Sequence, residues 1–172
     1  MGRLHHPTEP HLVVHITACV SQRIHYDLRG DAPVLLRWLD YYRPPYGYKV
    51  YGFVIMPDHW HAVLSTGDEK TVADIVGEVR RRFSRAIGRR VWQPDFYDRV
   101  LRREVHIPAA VEYMHWNPVR AGLVEHPAQW PWSSFAAYHG TGEPVFAIDH
   151  PGPLLWTHDG PGSHTPRHGR LA

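Results

Sequence analysis

The stretch Gly52-Phe53-Val54-Ile55-Met56-Pro57-Asp58-His59-Trp60-His61-Ala62-Val63-Leu64-Ser65 leaves this chain few folds to choose from. Two apolar, strand-like runs flank Met56-Pro57-Asp58, and a Pro-Asp pair between such runs signals a turn. Side chains alternate along a strand, so His59 and His61 face one way and Trp60 the other. Two neutral imidazoles side by side on a sheet face are able to share a transition-metal ion. In a chain with 15 histidines the pair alone is equally a chance or structural feature. A second segment answers it. Glu112-Tyr113-Met114-His115-Trp116-Asn117-Pro118 reads as helix, with Tyr113 and Asn117 four apart on one face. Tyrosine offers an oxygen nucleophile and asparagine an oxygen ligand. A histidine pair, a tyrosine and an amide together suit attack on a metal-polarised phosphodiester.

At 172 residues, 43% hydrophobic and 21% charged, the composition is that of one globular domain with a proper core. Cys19 excludes an intramolecular disulfide and reads as a small buried core residue. No run reaches the roughly 18 apolar residues of a membrane span. Residues 1–7 lack a signal peptide's apolar stretch. The expectation is a soluble cytoplasmic protein. Net charge is only +2, carried by 17 Arg and 2 Lys. Between Arg80 and Arg120 ten Arg face only Asp95, Asp98, Glu104 and Glu112, a local excess of six positive charges. Such a cluster fits a phosphate backbone, because the guanidinium fork bonds two oxygens at once. Cations at the end of a helix also simply suit its dipole.

In chain order, residues 1–10 read as a flexible leader and 11–20 as a first strand, with His15 a satisfied structural histidine. Asp31 caps a helix with Pro33 in its first turn and Val34, Leu35, Trp38 and Leu39 as its apolar stripe. Arg43-Pro44-Pro45 stops it. Strands follow over 48–55 and 59–65. Thr71 caps a second helix reaching about Ile87, with a core face of Val72, Ile75, Val76, Val79 and Phe83. Residues 91–100 are extended and aromatic-rich, Phe96 and Val100 turning to the core. Pro118 disfavours helical geometry at Asn117, so the helix of Tyr113 ends or kinks there. From about Gly140 the chain is rich in Gly, Pro and His without periodicity, and 140–172 reads as a disordered tail. This leaves 11–139 as the single domain.

Strand, helix, strand, strand, helix, strand is the β-α-β-β-α-β order of a ferredoxin-like (RRM-like) α+β fold, an antiparallel sheet with helices mainly on one face. With these blocks in order, the chain resembles the REP-associated tyrosine transposases, bacterial relatives of the HUH-type single-tyrosine transposases. The resemblance rests on Val54-Ile55-Met56-Pro57-Asp58-His59-Trp60-His61, on Trp92-Gln93-Pro94-Asp95-Phe96-Tyr97-Asp98-Arg99, on the block from Tyr113 to Val124, and on Pro131-Trp132-Ser133-Ser134-Phe135. It spans roughly residues 11–138. Trp60 stands where Val is usual, Asp58 where Asn is common, and Pro94 replaces a more flexible residue.

The resemblance implies a metal-dependent endonuclease and strand transferase acting on single-stranded DNA at REP-like hairpins. Tyr113 would be the nucleophile, forming a 5′-phosphotyrosine intermediate. His59, His61 and Asn117 would hold Mg²⁺ or Mn²⁺. Arg80, Arg81, Arg82, Arg85, Arg89, Arg99 and Arg120 would contact DNA. A DNA-associated bacterial protein with no membrane partner is implied, as a monomer in the first instance and a homodimer in the second. Two other readings stay open: a non-catalytic DNA or RNA hairpin binder of the same fold, and a zinc hydrolase built on the two histidines. The group that deprotonates Tyr113, whose free pKa is about 10, is not evident from the sequence.

Overall fold

A computed structural model describes residues 5–103 and 106–151. The first residues of the expected leader and the expected tail from 152 onward lie outside the described residues. Among those described, strand β1 is Val13–Cys19, β2 Lys49–Ile55, β3 His59–Ser65 and β4 Tyr97–Val100. They form one sheet in the order β2-β3-β1-β4, with each neighbouring pair antiparallel. The helices are α1 (Ala32–Tyr41), α2 (Arg43–Tyr46), α3 (Val72–Ala86), α4 (His106–His115), α5 (Asn117–Arg120) and α6 (Phe135–His139). The ferredoxin-like order expected from the sequence is present.

Alternation decides which residues meet. Val14, Ile16 and Ala18 of β1 and Trp60, Ala62 and Leu64 of β3 are buried beneath α1 and α3. The α3 stripe of Val72, Ile75, Val76, Val79 and Phe83 is fully buried, as its 3.6-residue spacing demands. Thr71 caps that helix in a reciprocal box with Asp74. Trp60, larger than a valine, is accommodated inside this layer, on the face opposite the histidines, at 1% exposure.

The other sheet face is partly covered too. Ile107, Val111 and Met114 of α4 pack with Val54 and Val63 of the sheet, and with Met56, Leu101 and Trp130. A β-carbon at residue 52 would lie 3.0 Å from Val111 Cγ2 and 3.1 Å from Met114 Cε, so Gly52 lets α4 approach β2 closely.

Several local readings are corrected. Asp31 stands at the N-cap of α1, but its carboxylate makes no cap bond and accepts from the Tyr26 hydroxyl instead. Arg43-Pro44-Pro45 does not merely stop α1; it forms the helical turn α2, which ends at Gly47 with φ +64°. Proline tolerates the first turn because its missing N–H has no partner there. Phe96 is in the core as expected, whereas Val100 is only half-buried. The leader is anchored: His6 Nε2 lies 2.8 Å from Asp95 Oδ1, its Nδ1 pairs with Asp98, and its ring stacks on Phe96 at 4.0 Å.

The packed chain also continues beyond residue 140. Ile55 N donates to Trp132 O at 2.8 Å, Ser134 N donates to Phe53 O at 3.0 Å, and Phe53 N donates to Ser134 Oγ at 3.0 Å. Phe146, 8% exposed, then meets Phe53 edge to face, and Arg43 lies over the Phe146 ring. Asp149 accepts from Arg43 at 2.6 Å and from Val50 N at 2.8 Å, while its own N–H donates to Val50 O. The missing periodicity misled here, since one aromatic and one carboxylate are enough to tie an irregular segment down. No helix among the described residues is long and apolar enough to cross a membrane.

Phe146→Ala should lower the unfolding free energy by about 3 kcal/mol, the low end for truncating a buried phenylalanine. Urea unfolding measures this, and an unchanged midpoint would mean that 141–151 contributes nothing to the core.

Candidate active site

β3 lies between β1 and β2, so its side chains meet neighbours from both sides. His61 stands opposite Thr17 on β1 and Val54 on β2, and His59 stands opposite Cys19. Directly opposed residues share a face. His15, Thr17, Cys19, His59 and His61 therefore form one polar patch, with Tyr97 and Arg99 of β4 in register beside it.

The two imidazoles are held in the same way. Thr17 Oγ1 is 2.8 Å from His61 Nδ1, and Asp58 Oδ1 is 2.7 Å from His59 Nδ1. Each Nδ1 is thus engaged, and the His61 ring also makes a hydrogen bond to the Ile16 backbone. Metal-bound histidines commonly show this arrangement, the outer hydrogen bond setting tautomer and ring orientation. The rings lie 4.7 Å apart and nearly perpendicular. Burial, then the neighbouring His59 and His15, depress the His61 pKa to about 3, so the ring is neutral at physiological pH. Neutral imidazole is the ligating form. The donor set therefore fits a divalent transition ion.

Two residues of this patch, and Asp58 beside it, carry corrections. Cys19 is not a core residue but half-buried on the histidine face, its thiol pushed up by burial and by Asp58. His15 is not satisfied: its Nε2 is buried without a partner, its ring is 5.3 Å from His61, and burial and Arg99 lower its pKa. Asp58 is an orienting carboxylate rather than a turn residue alone.

Tyr113 and Asn117 form a second cluster on α4 and α5. Tyr113 is 55% exposed. The Arg120 guanidinium lies 4.1 Å over its ring, donates to Tyr113 O at 2.7 Å and to Asn117 Oδ1 at 3.2 Å. The Asn117 Nδ2 is buried without a partner. The amide oxygen expected to bind metal is thus already engaged by Arg120, with a second lone pair left. Helix α4 covers the sheet face that carries the histidines, but the two clusters share no hydrogen bond or ring contact among the described residues.

The arginines separate by role. Arg80 is drawn inward against Trp92 and donates to Gln93 O, so it braces α3 to the strand approach instead of facing free solvent. Arg81 and Arg82 both bond Glu78 at 2.8 Å. Burial opposes ionisation of Glu78, but these bonds and one from Tyr42 outweigh it and bring its pKa to about 2. Arg85 and Arg89, both exposed, line an open groove of about 750 Å³ with Arg81, Arg90 and Trp92. Arg99 sits at the histidine patch and Arg120 on the tyrosine. Charge density along α3 did not reveal that Glu78 pairs with two of its neighbours; the i, i+3 and i, i+4 offsets from Glu78 carried that signal.

A family model described as "Transposase IS200 like" matches residues 8–99, more than half of the chain. The chain belongs to the IS200-like transposases. Within that family it is similar to the REP-associated tyrosine transposase of Escherichia coli strain K12, 30% identical over 91 residues, 51% of this chain and 54% of the relative. The chain thus matches about half the length of that curated relative. Its fold matches a REP-associated tyrosine transposase solved bound to a REP hairpin, with TM-score 0.73 and 20% identity, covering 88% of this chain and 94% of the other. The likeness to REP-associated tyrosine transposases is borne out. The family match encloses the histidine pair and the sheet up to β4, while Tyr113, Asn117 and Arg120 lie beyond it.

Thr17→Val keeps the strand but removes the His61 partner, and should weaken Mn²⁺ affinity by about 10- to 100-fold. Calorimetric titration checks this; an unchanged affinity would put the ion elsewhere. In metal-free buffer the unfolding free energy should fall as pH drops below about 6.5. Buried His61 and His115 resist protonation in the fold down to about 3, while the unfolded chain takes up those protons. Denaturant unfolding at pH 7.5 and 5.5 reads it, and equal stabilities would contradict the buried neutral rings.

Proposed function

We propose that this IS200-like transposase cleaves and rejoins single-stranded DNA beside a REP-like hairpin, with Tyr113 as the nucleophile. The observation that carries this reading is the pair of imidazoles on one strand face, each oriented by a bond at Nδ1. When held by these imidazoles and the Asn117 oxygen, Mg²⁺ or Mn²⁺ supplies Lewis-acid polarisation of a phosphate oxygen.

The chain's own residues do the rest. Tyr113 is exposed enough to meet a phosphodiester, and Arg120 clamps one face of its ring while setting a positive charge beside it. The tyrosine oxygen attacks phosphorus and forms the P–O bond of a 5′-phosphotyrosine. The bond from phosphorus to the 3′ oxygen breaks, and that oxygen leaves as a 3′-hydroxyl carrying a proton. One phosphodiester replaces another, so a 3′-hydroxyl attacking in reverse restores DNA and frees the tyrosine. Asn117, one helical turn on, is tied to Tyr113 through their common partner Arg120. Arg85 and Arg89 at the groove suit the hairpin's phosphates, and Arg99 suits a strand crossing the histidine patch.

One observation favours a second reading, a hairpin binder that does not cut. Arg120 engages both the tyrosine and the amide oxygen, and that cluster makes no contact with the histidines.

Tyr113→Phe removes only the hydroxyl. It should bind a labelled hairpin oligonucleotide like the wild type yet form no detergent-stable DNA–protein adduct in Mn²⁺. Gel analysis with peptide mapping reads both. An adduct on Tyr97 would move the nucleophile, and wild-type binding with no cleavage in any metal would favour the second reading.

A further inference from the structure

Outside the histidine patch, a second group of ligand atoms converges where α4 meets α6. One carboxylate oxygen of Glu112 and one ring nitrogen each of His115 and His139 all lie within 4.8 Å of one another. His115 is 1% exposed and its Nδ1 has no hydrogen-bond partner.

The surrounding contacts fix the ring. Ser134 Oγ lies 2.8 Å from His115 Nε2, and it is itself held by Phe53 N at 3.0 Å and by Phe53 O at 3.3 Å. His115 Nε2 is thus engaged, while Nδ1 is buried inside the protein with no hydrogen-bond partner. Leaving a buried ring nitrogen unmet is costly, so a partner there is favoured.

The other two ligands are also pre-oriented. Glu112 Oε1 accepts from Trp116 Nε1 at 2.6 Å, while Oε2 lies 3.8 Å from His139 Nε2. The His139 ring is stacked on Phe135 with centroids 4.1 Å apart.

We propose that Glu112, His115 and His139 form a second metal site, of the Zn²⁺ class, that pins α6 to the last turn of α4. Two imidazoles and a carboxylate with an open fourth position make a familiar zinc donor set. Ligand bonds of about 2.0–2.2 Å would bring the three atoms to within roughly 3.5 Å of each other, an inward shift of about 1 Å. Exposed Glu112 and His139 have the freedom for that movement, while His115 stays fixed by Ser134. The ion would lie beside Tyr113 in sequence yet bind through side chains that the histidine patch does not use. This site is independent of the strand-transfer reading.

The test uses the full chain with His59→Ala and His61→Ala, which removes the first set of imidazoles. Zn²⁺ is titrated against a chromophoric chelator, Co²⁺ serves as a spectroscopic stand-in, and thermal unfolding is followed with and without Zn²⁺. This variant should bind one equivalent, raise its Tm on binding, and give the intense visible absorption of near-tetrahedral Co²⁺. Adding His139→Ala, or separately Glu112→Gln, both at exposed positions, should weaken binding by at least about tenfold, the least expected from disturbing even an outer partner. It should also abolish the Tm increase. Failure of the double variant to take up Zn²⁺, or an affinity that neither His139→Ala nor Glu112→Gln changes, would overturn the proposal.

Discussion

The alternation of β3 between two antiparallel partners is the constraint on which the rest depends. Trp60, fully buried under α1 and α3, locks the strand so that His59 and His61 must emerge on the far face. A slip of one residue would push two imidazoles into an apolar layer and put an indole in water. Packing therefore enforces the geometry of the candidate site. Thr17 reaches His61 only because β1 pairs in this register, and the same pairing brings Cys19 opposite His59.

Helix α4 uses the same sheet differently. Its apolar residues need a surface to cover, and Val54, Met56 and Val63 supply one next to the histidines. Gly52 removes the side chain that would hold the helix off. Tyr113, neighbour of the buried Met114, is thereby carried to the rim of that contact with its ring free for Arg120 to stack on. Positioning of the nucleophile candidate thus starts from a missing β-carbon on β2.

The sheet and the two core helices were legible because their signals are periodic: period two in β1 and β3, and a 3.6-residue stripe with a capping box in α3. The histidine pair could be placed on a common face for the same reason. Its outer partners could not, since Thr17 is separated from His61 by 44 positions and only strand register joins them. The alternation of His15, Thr17 and Cys19 with Val14, Ile16 and Ala18 marks β1 as two-faced, yet His15 and Cys19 were each read singly. Arginines were harder. Charge density along α3 says nothing of Glu78, which binds two of them, or of Trp92, which draws in a third. Arg120, expected to contact phosphate, also joins Tyr113 to Asn117. Aperiodic contacts such as Phe146 on Phe53 leave no pattern at all.

The segment from Trp130 to Asp149 has a further consequence. β2 is the outermost strand on its side of the sheet, and an outer strand normally offers a row of unpaired peptide groups to any passing chain. Here Trp132, Ser134 and Asp149 occupy those groups at Ile55, Phe53 and Val50. The protein closes that border with its own backbone and so resists sheet-to-sheet association there. Any growth of the sheet by a foreign strand is confined to the opposite border, where β4 offers only the four residues from Tyr97 to Val100.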